Sequence, residues 1–489
     1  LVGYPQKLER TKMNYNFKTE PYAHQLVALE KGWDKREYAY FMEMGTGKTK
    51  VAIDTAAMLF DSGEISGVCV IAPKGVYRNW TNLEIPTHIP DHIPLRVATW
   101  KSSLPAATKA EINTLFEPND DLNVFVMNID AVITTKGARV LMEFLTSREV
   151  LLIVDESTMI KTPKAQRTKA MINFAVHAKY RRILTGSPVT KSPLDVFSQC
   201  EFLNPRLLGY KSFYGFRGHF ADTVTQQFGG RSFKKVTGYR NLEELKEILQ
   251  DFSYRVTKDE CLDLPEKIYM RREFDLSKEQ KRVYKEMKAF AMTELEGEDA
   301  SVTSVIVQLL RLHQITCGHL TTDDQEVREI KNNRVKELME ILDEVDGKAI
   351  IWANYRYDIR RLYDAIAKEY GPESIVTYYG DTNDDDRVRA VDQFQNKSSP
   401  VRWFLGNTQT GGYGITLTAT NTVIYYSNNY DLEKRLQSED RAHRIGQENH
   451  VTYIDLVARG TVDEKILNAL RNKNDLARLI TGDQWKEWL

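Results

Sequence analysis

Short apolar runs rich in β-branched residues recur along the chain, each followed by a longer segment with helical spacing. Five occupy residues 38–42, 68–72, 124–127, 150–154 and 182–185, and five more occupy residues 349–353, 374–379, 402–405, 423–426 and 451–457. Runs that are apolar throughout, rather than alternating, suit strands buried on both faces, and strands alternating with helices give parallel sheets. Two such sets predict an α/β protein with two lobes. The stretch between them, roughly 201–345, reads as mostly helical, with helical periodicity at 241–252 and 277–292 and an apolar helix candidate at 302–314. The lobe boundary is expected near Leu264-Pro265-Glu266-Lys267. Within 210–240, aromatic residues and glycines interleave with Arg217, Arg231, Lys234, Lys235 and Arg240. That segment reads as a loop or protrusion of the first lobe, and two roles stand open for it: a grip on DNA or an aromatic mini-core.

Composition narrows the function classes. The chain has 489 residues, 42% hydrophobic and 28% charged, which excludes a mainly disordered or fibrous protein. Lys and Arg (67) balance Asp and Glu (68), so any site for a polyanion must come from local clusters. Two such clusters are Lys161, Lys164, Arg167 and Lys169, and Lys179, Arg181 and Arg182; ordinary surface charge is the alternative for each. Cys69, Cys200, Cys261 and Cys317 lie too far apart in sequence for a zinc knuckle or a redox dithiol, which suits a reducing compartment. No apolar run reaches the roughly 18 residues of a membrane span. The sequence opens on Leu1 rather than Met, which leaves the natural N-terminus open, and the polar stretch 1–20 does not look like a secretory leader.

Three local motifs carry chemistry. Phe41-Met42-Glu43-Met44-Gly45-Thr46-Gly47-Lys48-Thr49 follows a predicted strand and precedes a predicted helix, 50–60. Glycines there let backbone amides turn toward phosphate oxygens at a helix N-terminus. In such a loop Lys48 reaches the β- and γ-phosphates and Thr49 offers its hydroxyl to Mg²⁺, while Met42 stands where the strict pattern has glycine. The second motif is the apolar run ending in Asp155-Glu156. Asp155 suits a Mg²⁺ ligand and Glu156 a base that orients water. A helix-capping carboxylate is the alternative for the strand taken alone, and the phosphate loop in the same lobe favours the metal. The third is Gln437-Ser438-Glu439-Asp440-Arg441-Ala442-His443-Arg444-Ile445-Gly446-Gln447. On a helix, Arg441 and Arg444 share a face and form a clamp for phosphate oxygens; a solvated charged face is the alternative. Arginines of this kind are worth roughly 10³–10⁵ in rate, about 4–7 kcal/mol. His24, His313 and His443 have no partner at ligand spacing and are expected to be structural.

Together with Leu184-Thr185-Gly186-Ser187-Pro188 and Thr410-Gly411-Gly412-Tyr413-Gly414-Ile415-Thr416-Leu417, these motifs appear in the order seen in superfamily-two helicases. The later blocks resemble the Swi/Snf-type branch of DNA translocases, as does 309–320, Leu-Leu-Arg-Leu-His-Gln-Ile-Thr-Cys-Gly-His-Leu. So does Arg255-Val256-Thr257-Lys258 followed by 264–267. The similarity runs from about Pro21 to Ile466, and its flavour is that of a compact phage, bacterial or annealing-helicase-like member. The resemblance implies two tandem RecA-like lobes with ATP in the cleft between them and a helical protrusion. The corresponding divisions are 1–19 (extension), 20–262 (first lobe, protrusion near 205–255), 263–475 (second lobe) and 476–489 (tail).

The resemblance also implies an ATP- and Mg²⁺-dependent motor on double-stranded DNA, with a strand-separating helicase on single-stranded DNA or RNA as the alternative. A monomer is the default, because both halves of the expected ATP site lie in one chain, and its expected place is the cytoplasm or nucleoid if the chain is bacterial or phage, or the nucleus if eukaryotic. Lys48, Thr49, Asp155, Glu156, Arg441 and Arg444 match the family's catalytic positions. Gln25 matches the residue that reads adenine, and Gly414 falls among the nucleotide-site positions with Gly45, Thr46 and Gly47. Lys74, Thr408, Gln409, Thr410 and Gly411 match loops that contact a nucleic-acid backbone. Thr158 replaces the family's usual His and Lys191 its usual Asn, both at positions expected to couple hydrolysis to strand contact. A non-hydrolysing scaffold would require loss of a catalytic residue, and all are present.

Overall fold

A computed structural model describes residues 14–470, except 75, 102–105, 191, 229–230, 297–301, 323–325, 412–413, 430 and 469. Most of the expected N-terminal extension, the expected tail 476–489 and Lys191 thus lie outside the described residues. The described residues fall into two compact units that divide between Asp263 and Leu264.

The first unit contains β1 (Glu37–Met42), β2 (Gly67–Ala72), β3 (Leu95–Thr99), β4 (Leu122–Asn128), β5 (Val150–Asp155), β6 (Tyr180–Leu184), β7 (Ala221–Phe228), β8 (Arg231–Tyr239) and β9 (Ser253–Val256). Seven of them form one parallel sheet in the order β3-β4-β2-β5-β6-β1-β9. Alternate residues feed two cores. Phe41, Cys69, Ile71, Phe125, Leu152 and Val154 point into one, and Tyr40, Met42, Val68, Val70, Val126 and Ile153 into the other. Coverage of both faces is why these strands read as unbroken apolar runs.

The second unit contains β10 (Lys267–Phe274), β11 (His319–Thr321), β12 (Val327–Glu329), β13 (Ala349–Trp352), β14 (Ile375–Tyr378), β15 (Trp403–Gly406), β16 (Thr422–Tyr425) and β17 (Val451–Ala458). Its parallel sheet runs β10-β17-β16-β13-β15-β14. Ile351, Trp403, Leu405 and Ile424 fill one side, and Ile350, Trp352, Phe404 and Val423 the other.

The apolar pattern misses β3, β9 and β10. All three are edge strands, and β10 leaves Ile268, Tyr269 and Met270 exposed, so no continuous buried run marks them. The aromatic-basic segment is a helix, Phe213–Phe220, followed by the antiparallel hairpin β7–β8, rather than a loop. The two parts differ in burial. Phe216 and Phe220 are buried against Phe197 and Tyr210 as a mini-core, while Lys234 and Lys235 stand exposed on the hairpin.

The cluster at 179–182 is not a free basic surface. Arg182 is fully buried and donates to the carbonyls of Gly32 (2.7 Å), Trp33 (3.0 Å) and Arg181 (2.8 Å), closing the C-terminal end of the helix Ala23–Gly32. Carbonyls at a helix end lack intrahelical donors and carry partial negative charge, which a guanidinium satisfies. Arg181 pairs with Glu37, and Lys179 with Glu64 at 3.0 Å. In the other cluster, Lys161 bonds the Thr190 hydroxyl and Lys164 and Lys169 are exposed.

Candidate nucleotide site

Because the first sheet is parallel, β1, β5 and β6 deliver their carboxyl ends to one edge, the edge where α/β sheets bind ligands. Met42 is the last residue of β1 and is buried in the core, so the turn is made further on, at Gly45 (φ 82°) and Gly47 (φ 85°). L side chains rarely adopt these left-handed values, and a Cβ on Gly47 would collide with the Gln25 amide. The helix Lys48–Asp61 starts there, with Thr49 in its first turn.

Three neighbours hold the loop. The Thr46 carbonyl accepts from His24 Nε2 (2.7 Å) and Gln25 Nε2 (3.0 Å). Burial lowers the His24 pKa, so the ring is neutral, and the carbonyl acceptor places its proton on Nε2. Glu43 takes the Lys258 backbone N–H on its carboxylate (2.9 Å) and donates its own N–H to the Val256 carbonyl (3.0 Å). Gly186, after β6, lies so close that a Cβ would approach the Met44 nitrogen to 3.0 Å. Gln25 Oε1 accepts from the Tyr22 N–H at 2.9 Å, so both ends of its amide are engaged within the chain. The structure therefore gives Gln25 a loop-bracing place, and contact with adenine would require the amide to leave Thr46 and Tyr22.

β5 ends at Asp155, and Glu156 follows at φ 51°, a strained value for a non-glycine residue. Lys48 Nζ lies 3.2 Å from Glu156 Oε1, with both side chains largely buried. Asp155 Oδ2 accepts from Trp80 Nε1 at 2.9 Å, and Oδ1 accepts the Glu156 N–H at 3.0 Å. Burial pushes the Asp155 carboxyl up from its ordinary range, Lys48 pulls it down and Glu156 pushes it up again. Neither acid caps a helix, because the 3-10 turn Ser157–Ile160 has no side-chain cap bond from Glu156. Thr158 is buried in that turn, and Ser157 donates to Gln199 (2.7 Å), which donates to the Pro188 carbonyl (2.8 Å).

In the second unit the helix Leu432–Glu439 stops short of the arginines. Arg441 and Arg444 therefore meet through the turn that follows rather than on a helical face. Both donate to the Ile415 carbonyl, at 3.1 and 3.4 Å, and Arg441 also to the Gln437 carbonyl at 2.8 Å. Arg435 anchors the helix. It bonds Glu439 (2.8 Å) and Asp455 (3.0 Å) and lies over the Tyr425 ring. Burial pushes the Glu439 carboxyl up, but Lys267 and Arg435 more than offset it, so the pKa is lowered and the acid is ionised. His443 bonds the Pro265 carbonyl at 2.7 Å, the structural place expected for it.

Residues 39–321 match the model of the SNF2-related domain, and residues 331–446 match the helicase conserved C-terminal domain. The chain belongs to the SNF2-related family. It is 27% identical over 441 residues to the DNA annealing helicase and endonuclease ZRANB3 of Bos taurus, covering 88% of this chain and 38% of that protein. It is 28% identical over 460 residues to the putative ATP-dependent helicase/translocase YwqA of Bacillus subtilis, covering 91% of this chain and 46% of that protein. The chain thus spans about two fifths of the length of the first of these relatives. A solved Sulfolobus solfataricus SWI2/SNF2 ATPase core in complex with dsDNA aligns at 24% identity and TM-score 0.42, covering 98% of this chain and 96% of that one.

The remaining residues that the family resemblance singled out differ in exposure. Lys74 is exposed in the turn after β2. The expected loop at 408–411 is a short helical turn after β15, with Gln409 exposed, Thr410 half-buried and Thr408 and Gly411 buried. Gly411 lies against the Trp352 ring, so it and Thr408 shape the turn rather than present a surface. Gly414 takes φ 68°, and Gly412 and Tyr413 beside it lie outside the described residues. Sequence reasoning gave Glu43, Gln199 and Arg435 no role, and set Trp80 only at the end of the stretch 70–80 that resembles a nucleic-acid-contacting motif, not beside Asp155. Trp80 carried one usable signal, an indole with a polar N–H closing a predicted ligand loop.

Proposed function

We propose that this chain is an ATP-driven motor that moves along double-stranded DNA and uses that movement to remodel DNA or protein–DNA complexes. The observation that carries the reading is the buried Lys48–Glu156 pair, which joins phosphate loop and strand-end acids in one site within an SNF2-related domain. The donor set fits a nucleoside triphosphate with Mg²⁺: a lysine, turned backbone amides at a helix start, the Thr49 hydroxyl and the Asp155 carboxylate. Thr49 and Asp155 are the residues to hold Mg²⁺, which would supply positive charge against the phosphate oxygens.

Lys48 exchanges Glu156 for phosphate oxygens when nucleotide binds, which releases Glu156 to orient water and take its proton. Arg441 and Arg444 are assigned the charge that develops on the transferred phosphoryl group, with the Ile415 carbonyl as their resting acceptor. Lys74, Gln409 and Thr410 are assigned contacts to a phosphate backbone, which hold position without reading sequence. The names of the relatives support DNA as the track: a DNA annealing helicase and endonuclease in Bos taurus, and a SWI/SNF chromatin-remodeling complex subunit in Schizosaccharomyces pombe. Both the phosphate loop and the arginine pair belong to one chain, so a monomer suffices. Such a motor would work wherever its DNA lies: nucleoid or cytoplasm in a bacterium or phage host, nucleus in a eukaryote.

The test is the steady-state ATPase rate at fixed salt without nucleic acid, then with single-stranded DNA, duplex DNA and duplex RNA. The reading expects duplex DNA to stimulate most. Stronger stimulation by single strands or RNA would replace it with a strand-separating helicase.

A further inference from the structure

Trp80 begins a π-helical turn, Trp80–Glu84, directly after the short helix Tyr77–Asn79. Single π turns are concentrated at functional positions. The Trp80 side chain is buried where the phosphate-loop helix meets the central strands, lining an apolar cavity with Ile53, Ala56, Val70 and Ile153. A polar atom in such surroundings needs a partner, and the indole N–H has one in Asp155 Oδ2 at the end of β5. With Oδ1 held by the Glu156 N–H, each carboxylate oxygen has its own donor. The carboxylate plane cannot turn without breaking both bonds. Trp80 also lies on the segment that starts at exposed Lys74, so the same indole touches the acid and belongs to the candidate DNA-contacting stretch.

We propose that Trp80 is a positioning residue of the metal site: its indole N–H fixes the Asp155 carboxylate. The inference rests on the reading of Asp155 as a Mg²⁺ ligand. It differs from plain core packing in one respect, because core packing depends on ring volume and is indifferent to the N–H.

The experiment uses the full chain labelled with ¹⁵N at its Trp indoles, with ADP and either Mg²⁺ or Mn²⁺, alongside W80F and W80H. The indole signal missing from W80F should be the one broadened by Mn²⁺ in the wild type. By electron paramagnetic resonance, Mn²⁺ affinity of the ADP-bound protein should fall about 10–100-fold in W80F, the range for loss of an outer-shell partner. W80H, which restores a ring N–H, should recover part of that loss, and metal-free ADP binding should stay at the wild-type level in both. Unchanged Mn²⁺ affinity in folded W80F, with the wild-type indole broadened, overturns the inference and leaves Asp155 as ligand. If Mn²⁺ broadens no indole signal, the ligand reading and the inference fall together. Where W80F does not fold, the wild type decides: one indole proton must shift between ADP alone and ADP with Mg²⁺, and an unmoved set overturns the proposal.

Discussion

Lys48 and Glu156 hold each other at 3.2 Å, so each has its charge matched before any phosphate arrives. Removing either has a distinct consequence. Lys48→Ala takes away the proposed phosphate partner and removes the ion-pair partner of buried Glu156; ATP turnover should drop to background in a coupled phosphate-release assay. Glu156→Gln keeps the shape and a hydrogen-bonding group but removes the proposed base, so turnover should fall about 10²–10⁴-fold while filter-bound ATP is retained. Turnover near wild type in Glu156→Gln would move the base elsewhere. The residue types within Lys48-Thr49 and within Asp155-Glu156 were legible because each motif is local in the chain, whereas the pairing of Lys48 with Glu156 was not. Trp80 and Asp155 stand 75 positions apart, Arg182 and Gly32 150, and no local pattern announces such pairs. Arg182 shows the difference most sharply: in sequence it continues a basic cluster, and in the fold it closes a helix end deep inside the first unit.

Among the elements, the β7–β8 hairpin is the part whose role sequence left divided. Its antiparallel register pairs Thr225 with Lys234 and Val224 with Lys235, so the two exposed lysines point to opposite faces of a two-stranded ribbon. If the ribbon grips DNA, replacing Lys234 and Lys235 by Ala should weaken duplex binding and lower the salt slope of log K by about 1–2, read by fluorescence anisotropy. Unchanged affinity would leave the segment its mini-core role alone.

The helix Val302–Cys317 sets a different test, because it carries the buried His313. Burial lowers the His313 pKa to about 4; Asp463 and Asp358 oppose this, while Arg334 and His319 add to it, and Tyr355 bonds Nδ1 at 2.8 Å. The unfolded ring, near pH 6.5, binds a proton that the folded one refuses, so folded stability is full above that pH. It declines toward pH 4 by an amount on the order of 3 kcal/mol. Urea titrations at pH 7.5 and 5 should show the loss, and His313→Gln should flatten it. An equal slope in the variant would assign the acid lability to other groups.

At the scale of the molecule, a formal charge of −1 means that no general field draws the chain to DNA. The proposed binding to DNA must then come from a few placed cations, and binding through phosphates alone is indifferent to base sequence. Affinity for duplex DNA should fall roughly 10- to 100-fold between 50 and 200 mM salt, as about two to four phosphate contacts require, and should be equal for unrelated sequences. A salt-independent or sequence-selective isotherm would contradict that picture.

What the amino-acid sequence determined by itself was whatever is encoded within one strand, one turn or one helix. Two sets of apolar runs dictated two parallel sheets, because only strands covered on both faces can be apolar throughout. The glycines before Lys48 dictated a turn ready for phosphate, because Gly45 and Gly47 adopt backbone angles that side chains resist. The tertiary structure decided everything that depends on which distant groups become neighbours. It turned Gln25 and His24 onto the Thr46 carbonyl, set Trp80 against Asp155, and made Arg441 and Arg444 share Ile415 beyond the end of a helix. It also placed the edge strands β3, β9 and β10, whose half-covered faces leave no unbroken apolar signature. The division has one physical cause: local patterns record burial and backbone freedom, whereas a buried donor finds its acceptor only when packing brings the two together.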